Sequence, residues 1–306
     1  MKQFVTLIRR ELWEHRGLWM APLIAAGFLI AAVALSGFSS GGFRISIDDQ
    51  HFNFAQAITH EQKAKLFGVG IAALGLPILI TMVVVVFFYL ADAMYAERKD
   101  RSILFWKSMP VSDSATVWSK VATALAVVPV YAWFVGMLTV TLGFLIGSIR
   151  VSGTPIEKLV AWDTGIWFQV QVIALANMLV ASLWYAPVAG YMLAVSAWAR
   201  RSVLMWITLP PVLLIWLEEI IFRTKYVAAF IGHRLSGFFE FLGRDTTPPR
   251  GVPGGRGQME MQWLSERMDA ISAIDLLGRL ELWGGVLAAV GLIVVAIRMR
   301  RYRDDT

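Results

Sequence analysis

Six stretches of this chain carry no Asp, Glu, Lys, Arg or His: Gly17–Phe43, Phe67–Ala91, Val121–Ile149, Thr164–Ala199, Val203–Leu217 and Leu282–Ile297. Four of them are 25 residues or longer, and a helix needs only about 20 mostly apolar residues to cross a bilayer. The two shorter runs reach that length when flanking residues such as Glu218–Phe222 or Gly278–Glu281 join them at the interface. Of the 306 residues, 57% are hydrophobic and 16% charged, against about 25% charged in ordinary globular domains. This pattern excludes a soluble globular enzyme, a disordered chain and a secreted disulfide scaffold. Backbone amides in lipid need partners within their own segment, and the two-residue alternation of barrel strands is absent. The expected fold is all-α, a polytopic membrane protein with six transmembrane helices.

The spans are placed at 18–38, 67–91, 121–146, 167–198, 203–222 and 276–297, which puts both termini on one side. The segments on that side carry 15 Lys/Arg in 57 residues, and those on the other side 13 in 105. Cations are retained on the cytoplasmic side of short loops, so the termini are expected to be cytoplasmic. Aromatic placement agrees. Trp13, Trp19, Trp118, Trp198 and Trp206 fall near inner ends, and Trp162, Trp167, Trp216 and Trp283 near outer ends, where amphipathic rings favour the headgroup layer. The net charge of +6 then reflects this asymmetry rather than nucleic-acid binding, for which no motif or continuous basic helix is present. The first run is too long for a signal-peptide core and reads as a retained span.

Residues 1–17 form an expected interfacial helix. Phe4, Ile8 and Leu12 recur at four-residue spacing with Leu7 beside them, while Lys2, Arg9, Arg10, Glu14 and Arg16 lie mostly elsewhere. Such a helix lies in the membrane plane, apolar face down. The cytoplasmic loop 92–120 has dense charge at Glu97–Arg101, then Ile103, Leu104, Phe105 and Trp106, then Pro110. Proline cannot continue a helix that begins before it, and Ser112 or Asp113 can cap the next one. Four large apolar residues in a cytosolic loop need burial, on the membrane surface or on another protein. In span five, Glu218 and Glu219 sit about one turn from the outer end. Acids there snorkel or pair with Arg223 or Lys225, or else line a pathway or outer gate. The external segment 223–275 shows helical spacing in Val227–Leu242 and again in Met261–Ile271, separated by Thr246–Gly257 with three Pro and four Gly. That pattern suggests two amphipathic helices on a hinge. Ala186 with Gly190, and Gly143 with Gly147, have the small-x-x-x-small spacing of close helix contacts.

No cysteine is present, so thiol chemistry and Cys-ligated metals are out of reach. No G-x-x-x-x-G-K-[ST] phosphate loop, H-E-x-x-H pair or G-x-S-x-G elbow occurs. No metal site is expected, and no residue is assigned a catalytic role.

A six-span chain with a basic amphipathic N-terminus, the stretch ERKDRSILFWKSMPVSD between spans two and three, LPPVLLIWLEEIIFRTKY in span five and RMRRYRDDT after the last span resembles the permease subunits of bacterial ABC-2-type transporters. The resemblance covers essentially the whole chain. It implies a permease in the bacterial cytoplasmic (inner) membrane that forms the translocation pathway and is not itself an enzyme, with ATP hydrolysis expected in a separate partner chain. The expected partners are two copies of a P-loop ATPase, which bind the ATP and Mg, a second permease chain, and membrane lipid. The resemblance also places the ATPase-coupling helix at Glu97, Arg98, Asp100, Arg101, Ile103, Leu104, Phe105 and Trp106, and implies that spans two and five line the pathway. Export of a hydrophobic, drug, lipid-like or peptide substrate suits the apolar spans. The competing readings are a scaffold or receptor-like subunit of an ATPase complex, and a membrane enzyme with an outer-face site at Glu218, Glu219 and His233.

Overall fold

The computed structural model describes residues 2–35, 60–100, 111–152, 164–243 and 273–302. All secondary structure among them is helical, and six helices are long and apolar enough to cross a membrane. In chain order the elements are α1 (Lys2–Glu14), α2 (Gly17–Leu35), α3 (His60–Asp92), α4 (Tyr95–Lys99), α5 (Asp113–Ala122), a π-helical turn (Thr123–Val127), α6 (Val128–Val151), α7 (Thr164–Trp198), α8 (Val203–Ile221), α9 (Tyr226–Gly243), a 3-10 turn (Ala273–Gly278) and α10 (Leu280–Tyr302).

The third span is therefore α5, the π turn and α6 in one continuous rod. The π turn has a local cause. Pro129 offers no N–H and its ring crowds the carbonyl four residues back, so the ladder loosens over Thr123–Val127 before α6 starts. The Ser112 hydroxyl caps α5 by accepting from the Ala115 amide at 3.2 Å. The last span differs from its sequence boundaries. Residues 276–278 belong to the 3-10 turn, and the helix starts at Leu280 and continues to Tyr302, past the charges at Arg298–Arg301. Hydropathy tracks lipid contact, while a helix also extends where charges find partners.

α7 has 35 residues, about 52 Å at 1.5 Å per residue, longer than the roughly 30 Å hydrocarbon layer. Its most extensive partner is α10. A Cβ on Gly190 would lie 3.1 Å from the Ala289 carbonyl oxygen and 3.2 Å from Leu292 Cβ, so the Ala186–Gly190 spacing does mark a close crossing. The Gly143–Gly147 pair does not: a Cβ on Gly143 would meet only Leu74 at 3.5 Å, and one on Gly147 nothing.

One apolar core, with Leu18, Leu90, Val117, Leu193 and Ile293, sits where α2, α3, α5, α7 and α10 converge. This basal end also holds α1 and the C-terminal end of α10. A second cluster, with Trp184, Phe238, Leu276 and Leu282, lies toward the other end. Much of the remaining apolar surface faces outward, including Phe28, Ile80, Leu145, Ile220 and Leu287. That suits helices whose outer surroundings are lipid.

Candidate functional site

The basal end contains a cluster of charged side chains that the apolar packing has closed over. Glu11 on α1 and Lys120 on α5 have fully buried side chains, and Glu97 on α4 and Arg300 on α10 are nearly so. Lys120 Nζ donates to both Glu11 oxygens, at 2.9 and 3.0 Å, and lies 3.0 Å from Glu97 Oε1. Arg10 Nη2 donates to Glu11 Oε1 at 2.8 Å and to Glu97 Oε1 at 2.9 Å. Arg300 donates to Glu97 Oε2 and, through Nε, to Asp113 Oδ1 at 3.1 Å. The Tyr89 hydroxyl donates to Glu11 Oε2 at 3.0 Å. Three acids, Glu11, Glu97 and Asp113, thus meet three bases, Arg10, Lys120 and Arg300. The formal charges cancel. An isolated buried charge is very costly, whereas a paired and hydrogen-bonded one is tolerated.

The cluster joins four elements that are far apart in sequence: α1, the foot of the second span, the foot of the third and the end of the sixth. Its rim extends to α7. Ser196 Oγ accepts from the Met94 and Tyr95 amides, both at 3.1 Å, which satisfies free donors at the start of α4. The Arg98 guanidinium donates to the Ser196 carbonyl and, at 2.8 Å, to that of Ala199, at the C-terminal end of α7, where orphan carbonyls favour a cation. Glu14 pairs with Arg10 at 3.3 Å; burial raises its pKa, with Arg10 acting in the opposite direction. Burial lowers the pKa of His15, whose ring meets Tyr89 edge-on at 4.9 Å. Glu11, Glu14 and His15 come within reach of a common point. A metal ion there would have to displace Lys120, Arg10 and Tyr89 from the Glu11 oxygens.

This geometry shows the contacts of part of the sequence-based site. Glu97 and Arg98, expected to face an ATPase, point into the chain's own bundle. Glu97 is 6% exposed, because three cations inside the bundle solvate it better than a surface contact would. Asp100 is exposed at the end of α4. Arg101, Ile103, Leu104, Phe105 and Trp106 lie outside the described residues. α1 also departs from expectation. Its most buried positions are Leu7 and Glu11, against the protein, while Ile8 and Leu12 are half-buried and Phe4 is exposed.

At the other end, Glu218 caps α9. Its carboxylate accepts from Thr224 Oγ1, the Tyr226 amide and the Val227 amide, each at 2.7 Å. Glu219 is exposed and pairs with Lys225 at 3.2 Å. The Lys225 pairing expected of these acids is made by Glu219 alone; Glu218 is a helix cap, which neither expected account described. His233 lies 3.4 Å from Glu281, so the contacts do not join it to Glu218. α9, the first arm of the expected hairpin, is docked rather than free: Trp184 Nε1 donates to the Arg234 carbonyl at 3.0 Å and the Tyr185 hydroxyl to that of Leu235 at 2.9 Å. The second arm lies outside the described residues.

Reasoning from sequence missed Glu11, Lys120 and Arg300. One signal was present. Glu11 stands four residues after Leu7 and three after Ile8, an acid on the apolar face of an amphipathic helix, which demands a buried cation. Comparison with protein-family models, with curated proteins and with solved structures finds no match to this chain.

Proposed function

We propose that the chain is the permease subunit of an ATP-binding-cassette transporter, coupled to a separate ATPase chain and exporting an apolar or amphipathic substrate. The observation that carries this reading is the anchoring of α4. The segment that follows it, with Ile103–Trp106, is tied at its root through Glu97 to Lys120, Arg10 and Arg300, and through Arg98 to the end of α7. A pull on that segment reaches the second, third, fourth and sixth spans together. In this reading Ile103, Leu104, Phe105 and Trp106 supply the apolar grip on the ATPase, and Asp100 and Arg101 orient it. Glu97 and Arg98 are the fixed end of the lever. ATP binding in the partner chain shifts the population between two arrangements of the spans, by as much as its affinity for the two differs.

The test is Phe105→Asp and Trp106→Asp in the full chain, co-expressed with its P-loop ATPase. Both variants are expected to insert into the membrane at normal levels and to lose co-purification with the ATPase. Unchanged co-purification would refute the docking role and favour a membrane-facing loop.

A further inference from the structure

The face of α1 turned away from the bundle carries a second pattern. Arg9 and Trp13 each lie two residues beyond the inward-facing Leu7 and Glu11, about 200° around the helix. Both are exposed, and the Arg9 guanidinium sits 4.6 Å over the Trp13 ring. Val5, 64% exposed, precedes them on the same face. Arg16 is exposed just past the helix, and Trp19 and Met20 follow at the start of α2. From there exposed Leu23, Ile24 and Phe28 continue along the span. Trp118 and Trp198 are also exposed at the basal end.

Neither bulk water nor hydrocarbon suits this face. Val5 and Trp13 are poorly served by water, Arg9 and Arg16 by acyl chains. The headgroup layer serves both, since Trp rings favour it and guanidinium matches phosphate in a bidentate fork. We propose that Val5, Arg9, Trp13 and Arg16 form a binding surface for the phosphates of anionic phospholipids in the leaflet at the basal end. Continuity in sequence favours lipid over a protein partner, because exposed apolar side chains follow Trp13 at Trp19 and Met20 and along α2, a helix long and apolar enough to cross a membrane. Charge favours an anionic headgroup. Glu14, an exposed acid on α1, is already paired with Arg10, and exposed Asp92 acts on His15 rather than lying on α1 itself. The buried Glu11–Lys120 pair holds α1 in one orientation, so the surface is preformed. This surface is independent of the transport reading.

The chain has no cysteine, so a single Val5→Cys carries a site-specific nitroxide label in the full-length protein. The chain is reconstituted in phosphatidylcholine bilayers with and without phosphatidylglycerol, and collisions with oxygen and with a water-soluble nickel chelate are compared. A label on Leu287→Cys, on the outward face of α10, serves as the lipid-facing reference. Phosphatidylglycerol is expected to raise oxygen access and lower nickel access at position 5. Arg9→Gln with Arg16→Gln should abolish that response, since each cation near an anionic surface contributes about fivefold to partitioning. Inorganic phosphate added to the neutral bilayer should leave the label unchanged. The proposal is overturned if nickel access at position 5 is the same in both bilayers, if the double arginine variant keeps the full response, or if free phosphate reproduces it.

Discussion

Lys120 is the residue on which the basal end turns. Its ammonium touches two buried carboxylates, those of Glu11 and Glu97. Glu97 has Arg300 and Arg10 besides, while Glu11 keeps only the Arg10 guanidinium as a second cation among the ion pairs described. Lys120→Met should therefore strand Glu11 most. Removing one partner of a buried pair costs about 3–5 kcal/mol, and a shift of that size should appear in the thermal unfolding of the bilayer-embedded chain. Adding Glu11→Gln should recover part of the loss, with a coupling between the two sites of roughly 0.5–3 kcal/mol. A Lys120→Met chain that unfolds like the native one would show that the cluster is not structural. At this scale the sequence was readable only in part. An acid on the apolar side of α1 announces that a buried cation exists, but nothing local says it is Lys120, 109 residues away. Glu97 and Arg300 are 203 apart, and charge in a loop reads as exposed until packing closes over it.

The six spans were legible because length and lack of charge are local properties, and lipid imposes helix on such segments. Their ends were less so. Apolar residues in Ala273–Gly278 form a 3-10 turn rather than the start of the sixth span, since hydropathy does not distinguish one helix type from another. The Ala186–Gly190 spacing marked a close crossing and the Gly143–Gly147 spacing did not, because a small residue permits approach without requiring it. Among the elements, α9 depends most on one side chain. Glu218 satisfies amides at its first turn and places a negative charge at its N-terminus. Glu218→Ala should cost about 1 kcal/mol. Hydrogen exchange at the Tyr226 and Val227 amides should then be roughly fivefold faster, while Glu219→Ala, which removes only an exposed pair, should leave it unchanged. Equal exchange in both variants would remove the capping role and return Glu218 to the pathway candidates.

The whole molecule places its charge cluster where the N-terminal helix and three spans meet, beside the end of a fourth. Such a joint transmits force between elements that share it, and the permease reading makes a distinctive demand on it. Arg300 touches Glu97 and Asp113 but lies apart in sequence from Ile103–Trp106. Arg300→Gln should therefore spare binding of the ATPase while loosening the link between α4 and the sixth span. Labels on Val212→Cys in α8 and Leu287→Cys in α10, both on exposed faces, report the separation of two spans in the assembled complex. In the otherwise native chain, ATP should change that separation. In the Arg300→Gln chain, co-purification and ATP hydrolysis should persist, while the population that ATP shifts falls by a factor of about 5–150, the range of an ordinary coupling free energy. Loss of assembly together with motion would make Arg300 merely a folding residue. An unchanged ATP response would mean that force reaches the spans by a route that does not pass through the cluster.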